Sequence, residues 1–153
     1  MAIGTLEVKL VNAKGLKGTD FLGRIDPYVL IQYKGQERKS RVARDEGASP
    51  VWNEKFTFRV EYPGNGDEFK LVLKIMDHDT FSSDDFIGQA SIYVEDLLAV
   101  GVENGESELR AQKYSVVGAD LNYCGEIQVA VSFTQKVDEY DGEELGGWNQ
   151  SQY

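Results

Sequence analysis

Hydrophobic and polar residues alternate along most of this chain, at the period of two that marks a strand with one buried face. Leu6, Val8 and Leu10 share one face of residues 5–11, with Glu7 and Lys9 on the other. The same alternation turns Phe56, Phe58 and Val60 inward over 53–62 and runs through 69–75. It aligns Ile127, Val129, Val131 and Phe133 over 126–133. Residues 28–33 are β-branched and aromatic, as strands favour. Further strands are predicted at 86–94, at 113–117 and at 37–43, the last with Lys39 and Arg41 on one face. Helix is limited to a short piece over 94–100. Gly15, Gly18 and Gly23 break the chain ahead of Asp26-Pro27, and Pro63-Gly64-Asn65-Gly66-Asp67 is a turn. Eight short strands between turn signals predict an all-β protein, an eight-stranded antiparallel β-sandwich.

The loop between the strands at 69–75 and 86–94 carries Asp77, Asp79, Asp84 and Asp85 with no Lys or Arg among them. Crowded carboxylates repel one another unless something neutralises them. Ca²⁺, which takes six to eight oxygen ligands in flexible geometry, is the usual neutraliser. Asp77 and Asp79 stand two apart at a strand's end and can reach one point; Asp85 lies where the loop returns. The first loop repeats the pattern with Asp20 and Asp26. In a sandwich the loops after strands one, three and five share a pole, so 12–25, 44–52 and 77–85 meet there. Asp20 and Asp26 are therefore expected beside Asp77, Asp79 and Asp85, with Asp84 a bystander. The plain alternative is a solvated acidic face. Phe21, Leu22 and Phe81 occupy the same loop tips, where solubility gives them no purpose. They fit insertion into a lipid interface, or, as the alternative, packing beneath their own loops. An EF-hand is excluded, because Phe81 and Ser82 stand where a ligand and the turn glycine belong. A phosphatase built on Asp77-His78-Asp79 would need an α/β fold, which the pattern does not give.

Gly15-Leu16, Asp20, Asp26-Pro27-Tyr28-Val29, then Ser49-Pro50-Val51-Trp52-Asn53-Glu54, then Asp77-His78-Asp79 and Asp85-Phe86-Ile87-Gly88 together resemble a C2 domain over residues 4–133. With Tyr33-Lys34-Gly35-Gln36-Glu37-Arg38 and a Gly146-Gly147-Trp148 tail, the chain is similar to the small single-C2 plant proteins, elicitor-responsive and phloem-mobile. The resemblance implies the permuted, phospholipase-type topology and two bound Ca²⁺. Asp26 and Asp77 would bridge the ions, with Asp20, Asp79 and Asp85 completing the shells. The carbonyls of Thr19 and His78 and the Ser82 hydroxyl would add ligands. It further implies a lipid-headgroup face that would include Lys39 and Arg41. Leu30 and Glu37 stand where that face prefers lysine, which favours reading it as a solvated strand face.

Charge sharpens this picture. The chain holds 26 acids against 16 Lys and Arg, a net charge of -10, which argues against a nucleic-acid partner. Residues 137–153 carry five acids and no base, leaving -5 on residues 1–136. Two Ca²⁺ would bring that portion to about -1 and reverse the potential at the loop pole, drawing it to an anionic phospholipid membrane. Residues 1–136 are read as the domain and 137–153 as a separate acidic, disordered tail. Cys124 is the only cysteine, there is no apolar leader, and no run approaches the ~20 apolar residues of a membrane span. The expectation is a monomeric cytoplasmic binding module, not an enzyme, that moves to membranes with Ca²⁺ in plant calcium or defence signalling. The alternative is a Ca²⁺-independent adaptor with a protein or RNA cargo.

Overall fold

The alternating stretches become eight strands and one helix among the described residues, which in this computed structural model are 2–16, 25–63 and 69–136. In order they are β1 (Ala2–Lys14), β2 (Pro27–Tyr33), β3 (Gln36–Lys39), β4 (Val51–Tyr62), β5 (Lys70–Asp77) and β6 (Asp85–Tyr93). Helix α1 (Glu95–Asn104), β7 (Glu106–Val117) and β8 (Tyr123–Gln135) follow. Every strand pair is antiparallel, in the order β3-β2-β5-β6-β7-β8-β1-β4. The β6–β7 seam is one residue pair, Gln89 with Val117, so the sheet folds there into two four-stranded layers. This is the predicted sandwich, and β1 leads directly into the Asp20 loop, as the permuted topology requires.

The inward rows meet between the layers. Leu6, Val8 and Leu10 of β1, Val29 and Ile31 of β2, Leu71, Leu73 and Ile75 of β5, and Ile127, Val129 and Val131 of β8 are all buried. Their removal from water is the dominant drive to fold. Central β1 pairs Leu6 with Phe58 of β4 on one side and Phe133 of β8 on the other. The outermost strands, β3 and β4, would leave open edges that invite association. Gln36 joins them: its Nε2 donates to Arg59 O (2.7 Å) and its Oε1 accepts from Arg59 N–H (3.0 Å). One side-chain amide thus acts as a missing strand residue.

Three elements differ from the pattern reading. β3 ends at Lys39 rather than running to residue 43. The Ser40 hydroxyl accepts the Val29 N–H (2.8 Å) and takes the place of a ladder bond. β7 starts at Glu106, seven residues before 113; exposed along most of its length, it has no inward row for a period-two pattern to show. α1 extends past residue 100 to Asn104. Gly101 lets it approach β8 so closely that a Cβ there would stand 2.3 Å from Phe133 Cδ2. Among the described residues no helix is long and apolar enough to cross a membrane.

Backbone bonds tie three loops into one pole. Ala13 and Leu16 N–H donate to Pro50 and Ala48 O, each at 3.1 Å, and His78 N–H donates to Asp26 O at 3.0 Å. The loops after β1, β3 and β5 are therefore neighbours, as the alternation of strand ends predicts.

Candidate metal-binding pole

Asp77 closes the inward row Leu71, Leu73, Ile75 at the mouth of the core and is only 8% exposed. A buried carboxylate is costly unless hydrogen-bonded or paired. One oxygen of Asp77 accepts the Asp26 N–H at 2.9 Å. The ladder explains why these residues adjoin. Pro27, next to Asp26, pairs with Asp77, and Asp85, the first residue of β6, pairs with Asp77 from the other side. Asp26, Asp77 and Asp85 thus stand at the ends of three adjacent strands. Asp26 Oδ1 also accepts the Asp45 N–H of the second loop at 3.3 Å.

Asp79 is turned onto its own loop. It accepts the N–H of Phe81 (2.8 Å) and of Ser82 (3.2 Å) and the Ser82 hydroxyl (2.7 Å). These donors, the Phe81 amide foremost, hold its carboxyl below the usual range. Asp84, expected to stand outside the ligand set, has a structural part in this loop. It accepts the Tyr28 hydroxyl of β2 and the Asp79 N–H (2.9 Å), and it lies 3.4 Å from His78 Nδ1 without hydrogen-bond geometry. The Tyr28 hydroxyl is the main cause of its lowered pKa. Burial first, and then Asp84, pushes Tyr28 up to about 12. Asp84 therefore works as a strut between β2 and the third loop. The sequence signal for it was weak: one Asp among four, with a tyrosine partner far away in the chain.

Phe81 is 96% exposed, so it does not pack beneath its loop. Asp20, Phe21 and Leu22 lie outside the described residues. Lys39 and Arg41 do not share a strand face, because β3 stops at Lys39. The Lys39 ammonium sits 4.6 Å above the Tyr28 ring. Arg41 instead braces the second loop, bonding Glu46 at 3.2 Å and the Val51 carbonyl.

Among the described residues no three His, Cys, Asp or Glu side chains are gathered closely enough to hold a metal ion. What fits is the donor chemistry and its placement: hard carboxylate oxygens on three neighbouring strand ends, the kind of set that suits hard cations such as Ca²⁺.

Comparison with known proteins agrees with this architecture. The model of the C2 domain family matches residues 4–110. The chain is 56% identical to the 16 kDa phloem protein 1 of Arabidopsis thaliana, over 99% of each chain. It is 52% identical to elicitor-responsive protein 1 of Oryza sativa subsp. japonica, over 97% of this chain and 96% of that one. Among solved structures, a C2 domain-containing protein from a putative elicitor-responsive gene superposes with a TM-score of 0.69 at 40% identity, covering 95% of both chains. With an eight-stranded antiparallel sandwich, the loop motifs in place and relatives matched nearly end to end, this chain belongs to the C2 domain family, alongside the small phloem and elicitor-responsive C2 proteins.

Proposed function

We propose that this protein is a Ca²⁺-dependent phospholipid-binding module, with residues 1–136 as the binding unit and 137–153 as a separable acidic tail. The observation that carries the reading is the buried Asp77 at the centre of three carboxylate-bearing strand ends, on the same pole as the fully exposed Phe81. Asp26, Asp77, Asp79 and Asp85, with Asp20 of the first loop, would hold the cation. When bound, Ca²⁺ supplies the positive charge that draws anionic headgroups to an otherwise acidic surface. The chain's own residues do the rest. Asp84 and Tyr28 fix the third loop against β2. Ser82 and the Phe81 amide orient Asp79. Phe81 presents apolar surface at this pole, and Phe21 and Leu22 of the first loop would join it at the interface. C2 domains commonly bind phospholipid membranes, which supports a binding role rather than catalysis.

Calorimetric titration of the lipid-free protein tests the cation half of the proposal. Wild type should bind Ca²⁺ and Asp77→Asn should not; a wild type without a Ca²⁺ heat would refute it. Similarity to the 16 kDa phloem proteins supports one second reading, a Ca²⁺-independent adaptor for protein or RNA trafficking. That reading predicts partner binding unaffected by chelator.

A further inference from the structure

A fourth loop reaches the acidic pole: the turn 118–122 between β7 and β8. Its roots touch two of the loops already described. On one side Lys14 pairs with Glu126, and a Cβ on Gly125 would stand 2.8 Å from Lys14 O and 3.1 Å from Gly15 C, where the first loop begins. On the other, Cys124 Sγ lies 3.5 Å from Ile87 O, and a Cβ on Gly118 would stand 3.4 Å from that same oxygen, two residues past Asp85. The turn therefore stands between the first and third loops.

Four hydrogen bonds close it on itself. Gly118 N–H donates to Asn122 O and Leu121 N–H to Gly118 O, each at 2.9 Å. Asn122 donates its N–H (3.0 Å) and side-chain amide (2.8 Å) to the Asp120 carboxylate. The result is a rigid tip whose apex is Leu121, 83% exposed, with the half-exposed Tyr123 beside it. Leu121 also has φ +66°, a left-handed conformation that glycine or asparagine adopts at lower cost. A leucine here is unfavourable twice over, by strain and by exposure.

We infer that Leu121, with Tyr123, is a further membrane-contact point, entering a phospholipid surface together with Phe81. This rests on the membrane-binding reading above. A lipid surface suits the arrangement because the exposed apolar side chains sit on separate loops with acidic neighbours, Asp79 and Asp84 around Phe81 and Asp120 beside Leu121, rather than on one apolar element of the kind a protein partner would cover. The pattern also places the lipid contact on a loop that carries none of the candidate ligands.

The test is Leu121→Asn in the full chain, since asparagine tolerates the same backbone. Its melting temperature should hold or rise, and its Ca²⁺ titration without lipid should match wild type. Its affinity for phosphatidylserine–phosphatidylcholine vesicles with Ca²⁺ should fall roughly tenfold, as expected for losing part of a leucine's burial. Leu121→Met should restore that affinity. An environment-sensitive dye on Leu121→Cys should shift to the blue with vesicles, whereas one on Tyr93→Cys at the opposite pole should not. If wild type binds vesicles and Leu121→Asn binds equally well, the inference falls while the membrane reading stands. If Leu121→Asn loses Ca²⁺ binding or stability along with vesicle affinity, the residue is structural and the inference falls too. If wild type binds no vesicles, both fail.

Discussion

Replacing Phe81 with alanine separates insertion from electrostatic attachment. The side chain is 96% exposed, so truncating it removes no packing, and fold stability should move by less than about 0.5 kcal/mol. Its aromatic surface is, for the same reason, wholly available to a membrane. Full burial of such a side chain contributes about 1.5–3 kcal/mol, and about 2 kcal/mol corresponds to roughly 30-fold in affinity. Attachment through charge weakens with salt, whereas apolar insertion does not. Phe81→Ala should therefore bind phosphatidylserine vesicles more weakly at every ionic strength, and what remains should be more salt-sensitive than wild type. Its lipid-free Ca²⁺ titration should be unchanged. Asp77→Asn should behave differently, losing Ca²⁺ binding and vesicle attachment together. The assay is vesicle co-sedimentation across a salt series, with calorimetry of the free proteins alongside. If Phe81→Ala sediments like wild type throughout, the ring is surface decoration and the insertion argument is wrong.

Other outcomes follow from the same geometry. Ca²⁺ should raise the thermal melting point, by about 2.7 kcal/mol of added stability at a hundredfold excess over Kd, and Mg²⁺ should barely do so; melts equal in Ca²⁺ and chelator would count against a native-state site. Truncation after Lys136 should leave the melting temperature and the Ca²⁺ response unchanged, and a large loss of stability would show that residues 137–153 are part of the folded unit. The buried Tyr33 hydroxyl has no hydrogen-bond partner among the described residues, and burial pushes its pKa up to about 12. The folded chain holds that proton more tightly than the unfolded chain, so stability falls as pH rises from about 10 toward 12. Tyr33→Phe should therefore gain about 1 kcal/mol near neutrality and soften the alkaline loss in a denaturant titration, and a destabilised variant would show that the hydroxyl is satisfied.

Much of this was legible before any coordinate, and for a reason. Period-two rows such as Leu6-Val8-Leu10 and Leu71-Leu73-Ile75 are set by burial on one face, so they survive as β1 and β5. The sharing of a pole by three loops follows from antiparallel connectivity alone. β7 was largely missed because an exposed strand has no row to read. The end of β3 was missed because the Ser40 side chain, not a proline or glycine, interrupts the ladder. At the site, the placement of Asp26, Asp77 and Asp85 was legible from their strand ends. The Tyr28–Asp84 strut was not, since a hydrogen bond between residues 56 apart leaves no local pattern. Leu121 escaped for a similar reason: its exposure and its positive φ are properties of the folded turn.

The central claim is that Ca²⁺ governs attachment to phospholipid, and one measurement addresses it directly. The full-length protein is sedimented with phosphatidylserine–phosphatidylcholine vesicles in free Ca²⁺ and, in parallel, in chelator. The account predicts that the protein pellets with vesicles in Ca²⁺, stays in the supernatant in chelator, and stays there under both conditions as Asp77→Asn. Equal partitioning with and without Ca²⁺, whether all bound or all free, would contradict it.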